Sequence, residues 1–387
     1  MRGSGATAVR GPLGIYSSAG IFTRNISALP AASNQVPAKK VANQLAYGSQ
    51  TYAHWYGYTG PGYGPGSGES GVQPPSTFAP SLYVVPAAQP TQKVTLLEHV
   101  GEDETLREAW EHVPMPTLSQ VPSGSLWTPE GTDKWVAVWQ PSTGRYDEFW
   151  NTGGTEGAWT AKYGGTIFGV SNWDGIFTNG WGVRATGLAL LGGMISIQDI
   201  IEVLLGGQIQ HALAVGLPVT EAPGEEGPIA PATRHDAQAN NSSTIPKGFP
   251  EEGKPNPAAG TVDGVAESNW FRLPPSAQPS EYGISATVEP LATAIFIAMR
   301  EYGFFIADSG SSAPHMNVES MQSAGSPYSY AKINPFRTGT PAEWNPGKYK
   351  WAASLVDPSL PLLKEEPKNL LKKMPWQLIE RIEPRSS

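Results

Sequence analysis

Cysteine is absent from the 387 residues, which removes disulfides, cysteine-rich zinc sites and thiol catalysis together. Charge is scarce. Asp, Glu, Lys and Arg make up 16% of the chain, against roughly 25% in an average soluble protein. The net charge is −8, and no block of Lys or Arg occurs ahead of the C-terminal LLKEEPKNLLKK stretch. Phosphate neutralisation needs a basic surface, so a nucleic-acid partner is not expected. Long apolar runs are missing too. The opening MRGSGATAVRGPLGIYSSAG has no apolar core of signal-peptide length, and the apolar helical stretch 291–300 is too short for a bilayer. Export by the standard secretory route and a membrane span are therefore not expected. Release by cell lysis, as for a virion part, fits this better.

The motif inventory is equally spare. His54, His99, His112, His211, His235 and His315 show no metal-ligand spacing. There is no Gly-x-Ser-x-Gly elbow, and ALLGG and TGG lack the Lys of a phosphate loop. No cofactor and no metal are expected. A lone His211 after GGQIQ reads as a hydrogen-bonded core residue. Arg234, His235 and Asp236 read as solvated loop residues.

Gly and Pro are abundant, at 44 and 37 residues. Together they are about a fifth of the chain, where average usage is roughly 12%. Aromatics at 10% are well dispersed, which a disordered chain would lack. Residues 1–80 are Gly-, Pro- and Ser-rich and read as an extended arm and linker. Its aromatic island around His54 and Trp55 either folds back on the body or anchors a neighbouring subunit. A body is expected over 81–387, with a long surface excursion at 219–268.

Within the body, SLYVVPA and KVTLLEH read as strands, and GEDETLREAWEHVP as a short helix with Leu106 and Trp110 on its buried face. WVAVW and RYDEFW around a Gly-ended turn predict a hairpin. On its second strand, Tyr146, Glu148 and Trp150 share one face, with Arg145, Asp147 and Phe149 on the other. Strands follow at 158–162 and 166–170. A long irregular loop, SNWDGIFTNGWGVRATGLALLGG, comes next. ISIQDIIEVLL reads as a helix capped by Ser196, with Asp199 in its first turn. Strands are expected at 212–217, 269–273, 304–308 and 377–382, and a helix at 289–302. Many short strands, few short helices and long loops predict a mainly β fold. An antiparallel, jelly-roll-like β-sandwich fits that pattern best.

The order of these segments carries a resemblance. YVVPAAQPTQKVTL, LREAWEHVPMP, WVAVWQPSTGRYDEFW, ATGLALLGGMISIQDI, GGQIQHALAVGLP, FRLPP, EPLATAIFIAMREYGFFIADSG and MPWQLIERIEP occur in sequence. This run resembles a family of uncharacterised, β-rich actinobacterial proteins, with similar sequences among minor tail proteins of actinobacterial phages. The resemblance implies a virion location and a tail-tip role against a glycan-rich host envelope. It also implies further tail-tip proteins as partners through the N-terminal arm, and several copies of the chain in one assembly. Cellular members look secreted, whereas this chain opens without a signal peptide, which favours the phage reading.

For such a role the residues offer one candidate site. Exposed tryptophans stack on sugar rings, and nearby Asn and Asp bind hydroxyls. The irregular loop supplies Trp173, Asp174, Asn179 and Trp181. The alternative is that these tryptophans simply pack, as most do. A glycosidase would need two carboxylates flanking a cleft. Glu148 and Asp174 are the candidates, though neither lies in a glycosidase signature. A cell-wall glycan-degrading enzyme therefore stands as the second functional reading, and a ligand-free spacer as the third.

Overall fold

Every second residue of the Val136–Gln140 strand belongs to a different core. Val136 and Val138 pack with Trp110 and Phe149, whereas Ala137 and Trp139 pack with Phe22 and Leu190. A sheet buried on both faces divides the molecule at this point. The computed structural model describes residues 20–51, 54–55, 80–99, 103–117, 133–217, 220–221, 228–236, 242–244, 261–309, 315–319, 371 and 373–383.

The chain opens with helix α1 (Val36–Thr51) and strands β1 (His54–Trp55), β2 (Ser81–Val84) and β3 (Val94–Leu96). Helix α2 (Glu104–Ala109) precedes strands β4 (Val136–Gln140), β5 (Arg145–Trp150), β6 (Gly153–Thr155), β7 (Ala158–Ala161) and β8 (Tyr163–Phe168). Helix α3 (Ile197–Leu204) leads to β9 (Leu213–Leu217), β10 (Thr220–Glu221), β11 (Ser242–Thr244), β12 (Thr261–Asp263), β13 (Val265–Ala266) and β14 (Trp270–Arg272). Helix α4 (Pro290–Glu301) then precedes β15 (Phe304–Ser309), β16 (His315–Met316) and β17 (Glu380–Ile382). The protein is β-rich, with few and short helices. Among the described residues no helix is long and apolar enough to cross a membrane.

The expected hairpin is the seed of a four-stranded sheet ordered β2-β4-β5-β8. Val136 faces Phe149, and Gln140 faces Arg145 across the turn. Gly144 closes that turn at φ 65°, a left-handed conformation that suits glycine. A six-stranded sheet runs β1-β16-β9-β15-β14-β17, and a three-stranded one β3-β7-β6. Directions are mixed. β2 lies parallel to β4, β3 to β7, β1 to β16 and β9 to β15. This departs from the purely antiparallel, jelly-roll-like sandwich expected above. Side-chain period fixes which face a residue occupies but not the direction of its neighbour. The parallel pairs join strands far apart in the chain, such as β9 and β15, and a parallel pair needs a long crossover that a tight turn cannot provide.

Three apolar cores lie between these layers. One face of the four-stranded sheet meets Leu106, Trp110 and Trp159 from α2, its following turn and β7. The other face meets Ala214, Trp270 and Phe305 of the six-stranded sheet, with Leu188–Leu191 between them. The far face of the six-stranded sheet, with Leu213, Val215, Phe304 and Ile306, is covered by α1, α3 and α4. A parallel pair such as β9 and β15 needs that two-sided cover.

Part of the expected arm is not an arm. Phe22 and Ile26 sit in the middle core, and Ala38, Val41 and Leu45 of α1 sit in the outer one. The backbone is tied in as well: Ala212 donates to Phe22 O at 2.7 Å, Ile26 to Glu301 O at 2.7 Å and Ala32 to Arg381 O at 2.8 Å. His54 and Trp55 pair with His315 and Met316, so this part of the aromatic island folds back on the body. Local Gly and Pro content hid the i, i+3, i+7 spacing of Ala38, Val41 and Leu45. Residues 1–19 and 56–79 lie outside the described residues. The surface excursion at 219–268 is also partly built in: Ala232, Val265, Ala266, Glu267 and Ser268 are buried. The basic stretch 362–370 lies outside the described residues.

Ser196 caps α3 as expected. Its Oγ accepts from Asp199 N at 3.0 Å, and the Asp199 carboxylate accepts from Ser196 N at 2.7 Å. His211 joins them in the interior. Its Nδ1 faces Ala212 O at 2.8 Å and its Nε2 the Asp199 carboxylate at 3.3 Å. Both ring nitrogens meet acceptors, which suits the doubly protonated imidazolium. Burial alone would lower the His211 pKa, but Asp199 and the Ala212 carbonyl outweigh it and hold it above the ordinary value. Burial likewise opposes ionised Asp199, yet His211 and Ser196 hold its pKa below the ordinary value. The Ser196 hydroxyl bonds Asp199 and not His211, so this is a cap and not a nucleophile relay.

Two outcomes follow. Phe22→Ala should cost about 3–5 kcal/mol in urea unfolding, as a core aromatic does; a change near zero would restore the arm. The His211 contribution should be complete below the unfolded value of about pH 6.5 and fade as pH rises through the higher folded value. Asp199 contributes above its unfolded value of about 3.9 and loses that contribution in acid. Melting temperature between pH 6 and 9 should therefore fall more steeply in wild type than in His211→Gln.

Candidate functional site

Glu148 is the residue around which the irregular loop 171–193 is built. It projects from β5 into the middle core and is fully buried. One carboxylate oxygen accepts from Tyr146 Oη at 2.7 Å and Leu190 N at 2.8 Å, and the other from Val183 N at 2.8 Å. Two far-apart points of the loop are thereby pulled onto one side chain. Burial raises the Glu148 pKa, and the bonds from Leu190, Tyr146 and Val183 with the nearby Arg184 charge counter it. Gly182 sits against this anchor at φ 107°. A Cβ there would come within 2.8 Å of the Phe177 ring, so a side chain has no room.

The opposite face of β5 is just as occupied. Arg145 donates to both oxygens of Asp147 at 2.7 and 2.9 Å, and to the carbonyls of His112 and Ala109. Thr166 donates to Asp147 at 2.7 Å and receives the Trp110 indole N–H at 3.1 Å. These bonds fix the end of α2, and with it Asp103 at its start, beside the loop.

Asp103 is where the loop tip docks. Its two oxygens accept the Trp181 indole N–H at 2.8 Å and the Tyr163 hydroxyl at 2.7 Å. His99 meets the Tyr163 ring edge-on, with centroids 5.2 Å apart. Asn179 accepts from Trp181 N at 3.3 Å. Arg234 reaches in from the other side and donates to the carbonyls of Gly180, Gly182, Arg184 and Ala185. Its guanidinium also lies 5.8 Å from the Tyr163 ring centroid. Burial lowers the pKa of Arg234, opposed by Tyr163 and Glu148. The product is a half-exposed aromatic patch of Trp181 and Tyr163, edged by Asn179, Asp103, His99 and Arg234.

The four loop residues named from sequence therefore separate. Trp181 and Asn179 belong to the patch. Trp173 is half-buried like Trp181, and both pack against the middle core; Trp173 meets Tyr146 and Phe177, with centroids 6.0 and 4.7 Å away, and donates its indole N–H to Ile176 O. Asp174 is exposed but turns a carboxylate oxygen to Ile176 N at 3.0 Å, closing a tight turn. Glu148 and Asp174 do not flank an open cleft, because Glu148 is sealed in the core with its oxygens taken by three donors.

No family model, curated protein or solved structure matches this chain. The site is therefore argued from its own geometry. Asp103, Tyr163 and Arg234 were missed in the sequence because each is far along the chain from Trp181. Arg234 carries the one readable signal, a cation in a Pro- and Gly-rich stretch, but its local sequence is that of a solvated loop.

Glu148→Ala would leave two buried N–H groups and one hydroxyl without an acceptor, at about 1–3 kcal/mol each. Urea unfolding should show a loss of at least ~3 kcal/mol, with the loop loosened. A residue kept for catalysis would instead tolerate replacement with little loss of stability.

Proposed function

We propose that this chain is a minor tail or tail-tip protein of an actinobacterial phage, and that its Trp181 patch holds a host cell-wall glycan. The observation that carries this reading is the fixed presentation of Trp181. Its indole N–H is held by Asp103, its backbone by Asn179, and the carbonyls beside it by Arg234. An aromatic ring already held in place loses little entropy when a ligand lands on it. Asn179 and the Asp103 carboxylate lie beside the ring with the polar groups that sugar hydroxyls require. The order of sequence segments supports the phage assignment, and with it a virion location, extracellular during attachment.

The same reading gives the chain neighbouring tail proteins and further copies of itself as partners. The attaching piece would be drawn from the first eighty residues, less the part that is built into the body. Glycan hydrolysis is the weaker reading, since burial of Glu148 removes the carboxylate that the sequence paired with Asp174.

The test is retention of the purified full-length chain on insoluble host cell wall, with released reducing sugar measured in the same tubes. Trp181→Ala should weaken retention about tenfold, equivalent to about 1.4 kcal/mol, with released sugar at background for both proteins. Equal retention of the two would sink the patch. Sugar release that disappears in Asp174→Asn would make the chain an enzyme.

A further inference from the structure

Asn179 and Gly180 form the single Asn-Gly step of the chain, and they stand at the tip of the irregular loop. Both residues are exposed, and a Cβ built on Gly180 would meet nothing within 4 Å. Gly180 holds φ 84°, a left-handed conformation that suits glycine. Among the described residues the Gly180 N–H makes no hydrogen bond, and neither does the Asn179 side-chain NH2 group. The side-chain oxygen of Asn179 is engaged, accepting from Trp181 N at 3.3 Å. Such a bond folds the side-chain amide back over the peptide that follows it.

A backbone nitrogen beside a side-chain amide carbon closes a five-membered ring when nothing blocks its approach, and glycine leaves that approach open. We propose that Asn179 is a site of spontaneous modification, at which Gly180 N displaces the side-chain amide as ammonia and water then opens the ring to aspartate or isoaspartate. Hydroxide removes the Gly180 N–H proton, and the nitrogen forms a bond to Asn179 Cγ. The Trp181 N–H already points at the oxygen that takes up the negative charge. The Cγ–Nδ2 bond breaks, and the NH2 group leaves as ammonia with a proton from water, which restores the hydroxide. Water then adds to either carbonyl of the ring. Opening at Cγ gives aspartate, and opening at the backbone carbonyl gives isoaspartate. One water is consumed and one ammonia released.

The step lies where a change of backbone is felt. Gly180 O accepts from Arg234 and from the Tyr163 hydroxyl. Just beyond it, Gly182 N donates to Gly164 O at 2.9 Å and Val183 N to Glu148 at 2.8 Å. Isoaspartate carries the chain through its side-chain carbons and lengthens the backbone by one atom ahead of these ties. Either product also adds a negative charge to a tip that docks on Asp103. The modified tip is held more loosely. Its consequence for a ligand rests on the role proposed for Trp181, whereas the modification stands independently of any ligand. Asp174 and Gly175 are the contrast within the same loop. Gly175 is buried, with the Phe22 ring 2.2 Å from where a Cβ would stand, and a carboxylate is a poorer electrophile than an amide.

The test is incubation of the full-length chain between pH 7 and 8.5, folded and in urea, in water labelled with heavy oxygen, with its peptides followed by mass. Asn179 should lose ammonia and take up one labelled oxygen. The rate should rise by up to about tenfold per pH unit, because one proton leaves before the ring closes. Exposed Asn25, Asn34 and Asn172, which precede Ile26, Gln35 and Trp173, should stay intact over the same period. Amide hydrogen exchange at Trp181, Gly182 and Val183 should be faster in the isoaspartate fraction than in fresh protein. In Asn179→Gln, whose side chain would have to close a larger ring, the tip peptide should keep its mass and its exchange rate. An intact Asn179, or equal modification of the other exposed asparagines, overturns the proposal. So does a folded rate more than about tenfold below the rate in urea, because the chemistry would then wait for the loop to open. Unchanged exchange in the isoaspartate fraction overturns the loosened tip.

Discussion

Desolvated charge on strand β5 is the constraint on which the rest of the structure depends. Arg145, Asp147 and Glu148 leave water almost completely, and a buried charge is tolerated only when its bonding capacity is filled. Each side chain recruits a different part of the chain to do so. Arg145 and Asp147 draw in the end of α2 and Thr166 of β8. Glu148 draws in Val183 and Leu190. One strand with charges on both faces thereby organises the layers above and below it.

A loop that is mostly irregular backbone must have its N–H and C=O groups satisfied one by one. Here Glu148 takes the donors, while Arg184 and Arg234 take acceptors: Arg184 donates to Ala189 O and Gly192 O, and Arg234 to the carbonyls near the tip. The inner half, 186–194, becomes core filling between two sheets. The outer half, around Asn179 to Trp181, is left at the surface yet held from both sides. Trp173 and Trp181 are both half-buried against the middle core and differ in partner: the Trp173 indole N–H goes to Ile176 within the loop, and that of Trp181 to Asp103.

Much of the fold was legible along the chain. The hairpin, the two faces of β5, the Ser196 cap and the helix at 290–301 all follow from period, turn chemistry and capping, which act over a few residues. The helix at 36–51 was equally local in origin but was masked by the Gly- and Pro-rich sequence around it. The site was half legible. Aromatic and polar composition singled out the loop, but it carried no sign that the Trp173 indole bonds within the loop and the Trp181 indole to Asp103.

The sequence by itself determined the β-rich class, the absence of thiol chemistry and the alternation that puts Glu148 and Asp147 on opposite faces. These are properties of composition and of neighbours within one or two turns. Only the tertiary structure decided that Glu148 is buried with its oxygens bonded to Tyr146, Val183 and Leu190, that the sheets are mixed, and that Arg234 and Asp103 meet at the Trp181 loop. Burial and pairing between residues tens of positions apart depend on which surfaces exclude water together, and no local pattern carries that information.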